Sequence, residues 1–310
     1  MSLPSGEQVE IAHDDQRATV VEVGGGLRSY RLGGRTIVDG YEADEMCTAA
    51  KGQTLIPWPN RLRGGSYRFD DRELQLPLTE PDKGNAIHGL VRWANWAVGE
   101  RSKERVEMVH ALHPQDGFPF ALELSIVYEL SDRGLSVTTS ATNVGSASCP
   151  YGTGAHPYLT VGTNRIDDAT LTLPAAKWLT TDEHGIPTGE RAVEGTRYDF
   201  REPRAIADAE LDTAYTRLVR DGDGLARIVL RAPPKGPQVV FWLDASYPYV
   251  MAFTGDSLPG SEDRRRSLGI EPMSCAPNAF RSGDDLATLE PGESHSGRWG
   301  IQPTEERASR

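Results

Sequence analysis

The sequence has few cysteines and no long apolar segment. Its 310 residues include only Cys47, Cys149 and Cys275, which are far apart and form neither a CxxC pair nor a Cys/His zinc pattern. This usage is typical of reduced, partly buried thiols rather than of a disulfide framework. The N-terminus lacks a basic region followed by an apolar one, and no segment reaches the ~18 consecutive apolar residues of a membrane span. We therefore expect a cytoplasmic protein that does not bind a membrane.

Positive charge is also scarce. The chain has 33 Lys and Arg against 45 Asp and Glu, for a formal net charge of -12. A surface with this balance does not attract the phosphates of nucleic acids or of anionic lipids, so neither is expected as a partner. A small, neutral or modestly charged substrate fits better, and the sequence leaves both a monomer and a homodimer open.

Several short catalytic motifs are missing. The chain contains no GxSxG elbow, no P-loop and no HExxH pair, and the glycines of "GGGLRS" and "GTGAHP" do not make a dinucleotide fingerprint. The commonest short motifs of serine hydrolases, NTPases, zinc proteases and NAD enzymes are therefore absent.

Alternating apolar and polar residues dominate what is present. "ATVVEVGGGLRSYRLGGRTIVDG" predicts three strands joined by glycine turns, and "ALELSIVYELSDRGLSVTTSATNVG" predicts a hairpin that turns at "SDRG". Residues 201–221 offer at most a short helix, whose pattern breaks near Asp212 and Thr213. Many strands with close turns indicate an all-β sandwich or barrel. We expect a single domain over residues 1–310, with a polar tail from about 303.

Polar side chains stand in apolar or turn-rich surroundings at several points. In "LIPWPNRLRGGSYRF" two prolines bracket Trp58 and predict a rigid loop, which then presents Asn60 and Arg61. In "GNAIHGL" a glycine follows His88 and allows backbone or ligand to approach closely. Each motif also has a structural interpretation, namely a surface arginine before a hairpin and a core histidine.

Three further candidates lie in the second half of the chain. In "GTGAHPYL" the proline biases His156 toward an extended backbone. Asp212 follows a leucine in "AELDTAY", where it could equally cap or end a helix. Glu271 stands in the apolar run "GIEPMSC", and glutamates are rarely buried unless something pairs with them. Apolar surroundings raise the pKa of a glutamate and a nearby His or Arg lowers it, a balance that suits a catalytic base. A buried glutamate tied to an arginine is the structural alternative.

Taken together, these residues resemble a known family. "TLIPWPNRLRGGSYRF", "GNAIHGL", "GTGAHPYL", "ELDTAY" and "GIEPMSCAPNAF" occur in the order seen in aldose 1-epimerases, so the chain resembles these galactose mutarotase-like proteins from about residue 15 to 300. The resemblance implies a large antiparallel β-sandwich (a supersandwich) with few short helices, a sugar cleft and no cofactor. It also implies that Glu271 is the catalytic base, His156 the general acid and His88 a second histidine that binds the sugar and assists.

The resemblance further implies sugar contacts from Arg61 and Asp212. The residues around His88 and after Glu271 differ from those of typical galactose mutarotases, so galactose is not assumed and the chain resembles a divergent branch with its own aldose. A hexose-6-phosphate 1-epimerase is the second enzyme hypothesis. Such an enzyme needs basic residues around the phosphate, which Arg61, Arg63 and Arg92 could supply.

Two alternatives come from other classes of protein. A non-catalytic carbohydrate-binding sandwich would use Trp58, Trp93 and Trp242 to stack on sugar rings. We therefore count Trp58, Trp242 and Asn60 as candidate sugar contacts, although a binding module would not need the glutamate and two histidines. Those three could also hold a metal ion, but no two of them share a local metal-binding spacing, so no metal is expected.

Overall fold

The protein is seen in a computed structural model that describes residues 3–304, and nearly all of its regular structure is β-strand. In chain order the strands are Gln8–His13 (β1), Gln16–Val21 (β2), Leu27–Leu32 (β3), Arg35–Val38 (β4), Thr54–Leu55 (β5), Arg61–Arg63 (β6), Ser66–Phe69 (β7), Arg72–Gln75 (β8), Asn85–Ile87 (β9), Ala97–Arg101 (β10), Arg105–Leu112 (β11), Leu122–Ser131 (β12), Gly134–Asn143 (β13), Cys149–Tyr151 (β14), Gly154–Ala155 (β15), Tyr158–Leu159 (β16), Thr170–Thr172 (β17), Ala175–Thr181 (β18), Pro187–Ala192 (β19), Arg204–Ala205 (β20), Asp212–Leu218 (β21), Ala226–Arg231 (β22), Gln238–Leu243 (β23), Tyr249–Phe253 (β24), Leu268–Met273 (β25), Ala287–Leu289 (β26) and Ser294–Thr304 (β27). The helical segments in this part of the chain are the 3₁₀ turns Pro81–Lys83 and Ile166–Asp168 and one α-helical turn, Ala279–Ser282 (α1).

The strands form two large antiparallel sheets and three two-stranded ribbons. The first sheet has the order β1-β2-β3-β4-β16-β25-β24-β21-β18-β19, with β15 and β5 attached beside β25. The second has the order β10-β11-β12-β13-β27-β23-β22-β17-β20, and the ribbons are β14 with β26, β6 with β9, and β7 with β8. The expected all-β, antiparallel architecture is confirmed.

The turn signals placed the hairpins correctly. Ser131 pairs with Gly134 across the "SDRG" turn, which joins β12 to β13, and β2, β3 and β4 follow one another across glycine turns. Along β12 buried side chains alternate with more exposed ones, as expected for a strand with one face on a core.

Residues 201–221, for which the sequence offered at most a short helix, contain none, and a strand begins at Asp212, where the helical pattern breaks. Residues 212–218 form β21, a strand that pairs with β24 on one side and β18 on the other. Asp212 is therefore the first residue of a strand and does not cap a helix. The neighbouring strands supply partners for the backbone of β21, so tertiary pairing decides its conformation where local propensity was weak.

The apolar core joins the two large sheets. One continuous cluster of buried side chains includes Ile11 and Ile270 from the first sheet and Leu124 and Phe241 from the second. A smaller buried cluster is formed by Leu179, Ala214, Tyr249, Met251, Met273 and Ala276. Because successive side chains of a strand point to opposite faces, Ile270 faces the large core while Glu271 lies on the face of the smaller cluster.

The C-terminal strand is longer than the sequence suggested. Pro303 pairs with Val239 and Thr304 with Gln238, so the first two residues of the expected polar tail belong to β27. The remainder of that tail lies outside the described residues. Within residues 3–304 no helix has the length and apolar character needed to cross a membrane.

Candidate active site

A cleft of about 320 Å³ lies on the face of the first sheet that carries Glu271, near the lower end of the ~300–1,000 Å³ typical of small-molecule sites. Its wall includes six residues predicted from the sequence, namely Asn60, Arg61, His88, His156, Asp212 and Glu271. The fold therefore brings together five motifs that are far apart in the chain.

Three neighbouring strands place the acidic residues. Asp212 on β21 pairs with Phe253 on β24, and Glu271 on β25 pairs with Met251 two residues earlier on β24. The period of two along each strand then puts all four side chains on one face of the sheet. The two carboxylates thus share the cleft, with Phe253 as an apolar part of its wall.

Glu271 and His156 are in direct contact. Nε2 of His156 lies 3.2 Å from Oε1 of Glu271, and the two residues are only 5% and 2% exposed. The other two polar atoms of the pair, Nδ1 of His156 and Oε2 of Glu271, are buried without a hydrogen-bond partner among the described residues. Such groups carry a desolvation cost, so they are available to a ligand that enters the cleft.

Burial shifts the pKa of both groups away from the charged form. It raises the pKa of Glu271 well above its usual value; the charge of Asp212 adds to this rise, and Arg61 opposes it. Burial also lowers the pKa of His156 to about 3, and the charge of Arg92 contributes. At pH values between the pKa of His156 and the pKa of Glu271, the pair holds one proton in total. It therefore contains one acid and one base.

The ring of His156 lies against an aromatic side chain and near a glycine. The ring stacks on Tyr158, with centroids 4.9 Å apart, and the Tyr158 hydroxyl donates to the carbonyl of Ala49 at 3.0 Å. A Cβ at Gly269 would lie 3.7 Å from Cε1 of His156 and 3.2 Å from Cβ of Phe253. A Cβ here would make an ordinary contact with the ring and a tight one with Phe253, so a larger side chain would compete with the ring for space.

His88 and Asn60 hold each other in place. The backbone N–H of Asn60 donates to Nδ1 of His88 at 3.2 Å, and the backbone N–H of His88 donates to the carbonyl of Asn60 at 2.9 Å. Since Nδ1 accepts a hydrogen bond, the proton of the neutral ring is on Nε2, which is then free to donate to a ligand. Burial lowers the pKa of His88 well below its usual value, followed by the effects of His156, Arg92 and Arg61.

Both residues of this pair have left-handed backbones, with φ of 56° at Asn60 and 64° at His88. Asparagine and histidine are among the side chains that adopt this conformation most readily. The next residue must be a glycine, because a Cβ at Gly89 would lie 1.9 Å from the carbonyl oxygen of Ile56. The close backbone approach expected from the "HG" pair is thus present.

Arg61 is held by two carboxylates. Its Nε and Nη2 donate to Glu80 at 2.9 and 3.0 Å, and its Nη1 lies 3.5 Å from Oδ2 of Asp212. Burial alone would lower the pKa of Arg61, but Glu80 and Asp212 outweigh it and hold that pKa above its usual value. Sequence reasoning missed Glu80. The signal was the need of a buried arginine for an acid partner, but nothing local pointed to this one.

Two of the predicted sugar contacts do not lie in the cleft. Trp58 is 3% exposed and belongs to the large core, where its ring packs 5.4 Å from that of Phe280. Trp242 lies on β23 in the second sheet, with the guanidinium of Arg298 5.9 Å above its ring. Trp93 does line the cleft and is 53% exposed. The expectation for Trp58 and Trp242 is corrected, because one ring fills the core and the other lies on a different sheet.

His88, His156 and Glu271 lie close together in the structure, although no two of them share a local metal-binding spacing in the sequence. One donor atom each from His88, His156 and Glu271 lies within 4.8 Å of the other two. The set therefore has the composition of a two-histidine, one-carboxylate site. The expectation that no metal binds stays a prediction, which metal analysis of the purified protein tests.

Comparison with known proteins assigns the class. Residues 7–302 match the family model for aldose 1-epimerase, and the chain belongs to that family. It is 36% identical to the Escherichia coli protein YihR over 94% of this chain and 91% of that one. It is 28% identical to the aldose 1-epimerase of E. coli over 71% and 66%. A GalM/aldose epimerase homologue from Caenorhabditis elegans has the same fold, with a TM-score of 0.85 at 19% identity over 96% and 99% of the two chains.

Proposed function

We propose that the protein is an aldose 1-epimerase (mutarotase) that interconverts the α and β anomers of a free aldose by opening and closing its ring. The observation that carries the proposal is the 3.2 Å contact between His156 and Glu271 in a buried cleft. The reaction needs an acid and a base that reach two oxygens, O1 and O5, bonded to the same carbon. Two adjacent groups that share one proton meet this need.

In the proposed reaction the proton that the pair shares first moves from Glu271 to His156 across their contact. The carboxylate of Glu271 then takes the proton of the C1 hydroxyl while His156 gives its proton to the ring oxygen O5. The C1–O5 bond breaks and its electron pair goes to O5, which leaves an open-chain aldehyde and a C5 hydroxyl. After rotation about C1–C2, the C5 hydroxyl attacks the other face of the aldehyde and both protons return. Atoms and charges balance without a cofactor, and each positioned group contributes a factor of roughly 10²–10⁴ in rate.

The remaining groups would bind and orient the sugar. His88 offers a neutral Nε2–H donor because Asn60 occupies its Nδ1. Asp212, which is exposed, would accept from a sugar hydroxyl, and Arg61 lies beside it with its charge already balanced. Asn60 acts as a positioning residue: its side-chain oxygen accepts from the N–H of Arg61 at 2.9 Å.

A non-catalytic binding module is the less favoured alternative. It would rely on aromatic rings that stack on sugars, but of the three tryptophans considered only Trp93 lines the cleft. We also propose a single folding unit that acts in the cytoplasm as a monomer or homodimer. The three cysteines are buried and unpaired, which supports a reducing compartment.

Polarimetry on freshly dissolved single anomers tests the function. A panel of aldoses should contain at least one sugar whose mutarotation the protein accelerates, and Glu271→Gln should lower that rate by about 10²–10⁴-fold. A protein that accelerates no aldose, or a Glu271→Gln variant with the full rate, would overturn the proposal. Glu190→Gln is the matched control because it makes the same change at an exposed surface pair with Lys177, outside the cleft.

A further inference from the structure

Arg92 is a cleft residue for which the proposed reaction has no use. Two arginines line the cleft, Arg61 and Arg92. Arg61 is balanced by Glu80 and Asp212, and Arg63, just outside, is paired with Asp182. Arg92 has no acidic partner within the described part of the chain. Its guanidinium donates one long hydrogen bond, from Nη1 to Oε1 of Gln53 at 3.4 Å.

This lone cation is costly where it lies. Arg92 is half-buried, and burial lowers its pKa, whereas buried charges are usually paired. Its neighbour Cys47 does not compensate, since burial raises the pKa of that thiol to about 11. In a chain with a formal net charge of -12, acidic residues to pair with Arg92 were plentiful. The unpaired guanidinium therefore indicates a negative group that arrives with the ligand.

Arg92 lies on the His156 side of the cleft. Gln53 connects the two residues: its side-chain amide donates to the carbonyl of Arg92 at 3.0 Å, and its carbonyl accepts from the backbone N–H of His156 at 3.1 Å. Asp212 and Arg61, by contrast, act on Glu271, whereas Arg92 acts on His156. If His156 serves the ring oxygen, then Arg92 is nearest to C5 and its substituent, because C5 is the other carbon bonded to O5.

We propose that the substrate is an aldose with an anionic group on C6, and that Arg92 binds this group and determines specificity for it. This inference rests on the proposed epimerase function, whose substrate class it names. Carboxylate, phosphate and sulfonate share the chemistry required, since each presents oxygens that match the forked donors of a guanidinium. The exposed ring of Trp93, next in sequence and part of the same wall, would cover the adjacent carbons.

Binding of sugars that cannot react tests the inference apart from catalysis. Methyl glycosides cannot open, so calorimetry can compare the methyl glucoside and galactoside with their C6 carboxylate, phosphate and sulfonate derivatives. We expect at least one anionic glycoside to bind the wild type about 10–100-fold more tightly than its neutral parent. Arg92→Gln should remove this preference. Arg281→Gln should keep it, because it deletes the same charge from an exposed position outside the cleft.

The outcomes separate the two proposals. An equal affinity for neutral and anionic glycosides, no measurable binding of any anionic one at millimolar concentration, or an anion preference that survives Arg92→Gln overturns the inference. A preference that Arg92→Gln abolishes supports it. Suppose that the protein binds an anionic glycoside through Arg92 but accelerates the mutarotation of no aldose, whether neutral or anionic at C6. The epimerase function is then wrong while the anion site stands. If the wild type and Arg92→Gln both convert neutral aldoses as fast as anionic ones, the epimerase function stands and the anion site is wrong.

Discussion

Nε2 of His156 lies 3.2 Å from Oε1 of Glu271, with both side chains almost completely buried. A carboxylate and an imidazole in this position hold one proton between them, because burial disfavours an isolated charge on either. The same contact that would open a sugar ring therefore also has a cost for the stability of the folded protein.

Glu271→Gln should make the protein more stable at neutral and alkaline pH. The folded-state pKa of Glu271 is raised, so its contribution to stability is complete below the unfolded pKa of about 4.3 and is lost as pH rises through the folded value. Glutamine does not ionise and avoids this loss. We expect a gain of about 0.5–2 kcal/mol in the free energy of unfolding, measured by urea denaturation at several pH values.

The gain should disappear near pH 4, where both proteins carry a neutral side chain at position 271. Glu190→Gln should show no such pH-dependent gain, because it alters only a surface ion pair. A Glu271→Gln variant whose stability relative to wild type is the same at pH 4 and pH 8 would contradict the raised pKa.

The pH–rate profile should be broad and should have an alkaline limb set by Glu271. With a pKa of about 3 for His156, the pair gains a second proton only in strong acid, and it loses its single proton at the raised pKa of Glu271. Burial is the main cause of that raised pKa, and Asp212 is the next. Asp212→Asn should therefore move the alkaline limb of kcat/KM to lower pH, besides any loss of affinity. An unchanged limb would show that Asp212 does not act on Glu271.

Substitutions at Asn60 should separate backbone strain from hydrogen bonding. Its φ of 56° is unfavourable for alanine but not for glycine, so Asn60→Ala should unfold more easily than Asn60→Gly by about 1–2 kcal/mol. Both variants lose the side-chain acceptor for the N–H of Arg61, so both should raise KM. Urea denaturation and steady-state mutarotation measure the two effects, and equal stabilities would exclude strain as the cause.

Enlarging Gly269 should displace the ring of His156. An alanine Cβ would stand in ordinary contact with that ring and press on Phe253, whereas valine adds methyl groups that need the same space. We expect Gly269→Ala to keep most of the activity and Gly269→Val to lower kcat by up to about 10²-fold. The control is Gly222→Val, since a Cβ at Gly222 meets nothing within 4 Å. Equal kcat values for Gly269→Val and the control would contradict this role.

The sequence was informative where a local pattern has one structural meaning. Alternation and turn residues located the hairpins β2–β3 and β12–β13, because the register of a hairpin follows from its own two strands and turn. It was uninformative where pairing is distant. Residues 201–221 offered at most a short helix and no clear strand, but residues 212–218 form a strand between β24 and β18, whose positions no local pattern specifies.

The environment of Glu271 shows the same limit at the site. Its apolar sequence neighbour Ile270 faces the opposite side of the sheet and belongs to the large core. The burial that raises the pKa of Glu271 comes instead from its own face, where Met251 lies directly across on β24. The apolar run was therefore a correct sign of burial, although only part of it, Met273, shares the face of Glu271, and Met251 comes from a different strand.

The amino-acid sequence by itself determined the strand-rich character of the chain, its hairpins and the residue types that line the cleft. Only the tertiary structure decided which of these residues meet, namely that His156 and Glu271 touch, that Glu80 balances Arg61 while Arg92 has no acidic partner among residues 3–304, and that Trp58 and Trp242 lie outside the cleft. The physical reason is that local propensity and alternation act over a few residues. The contacts of a cleft depend on which distant strands are neighbours in a sheet and which face each side chain takes.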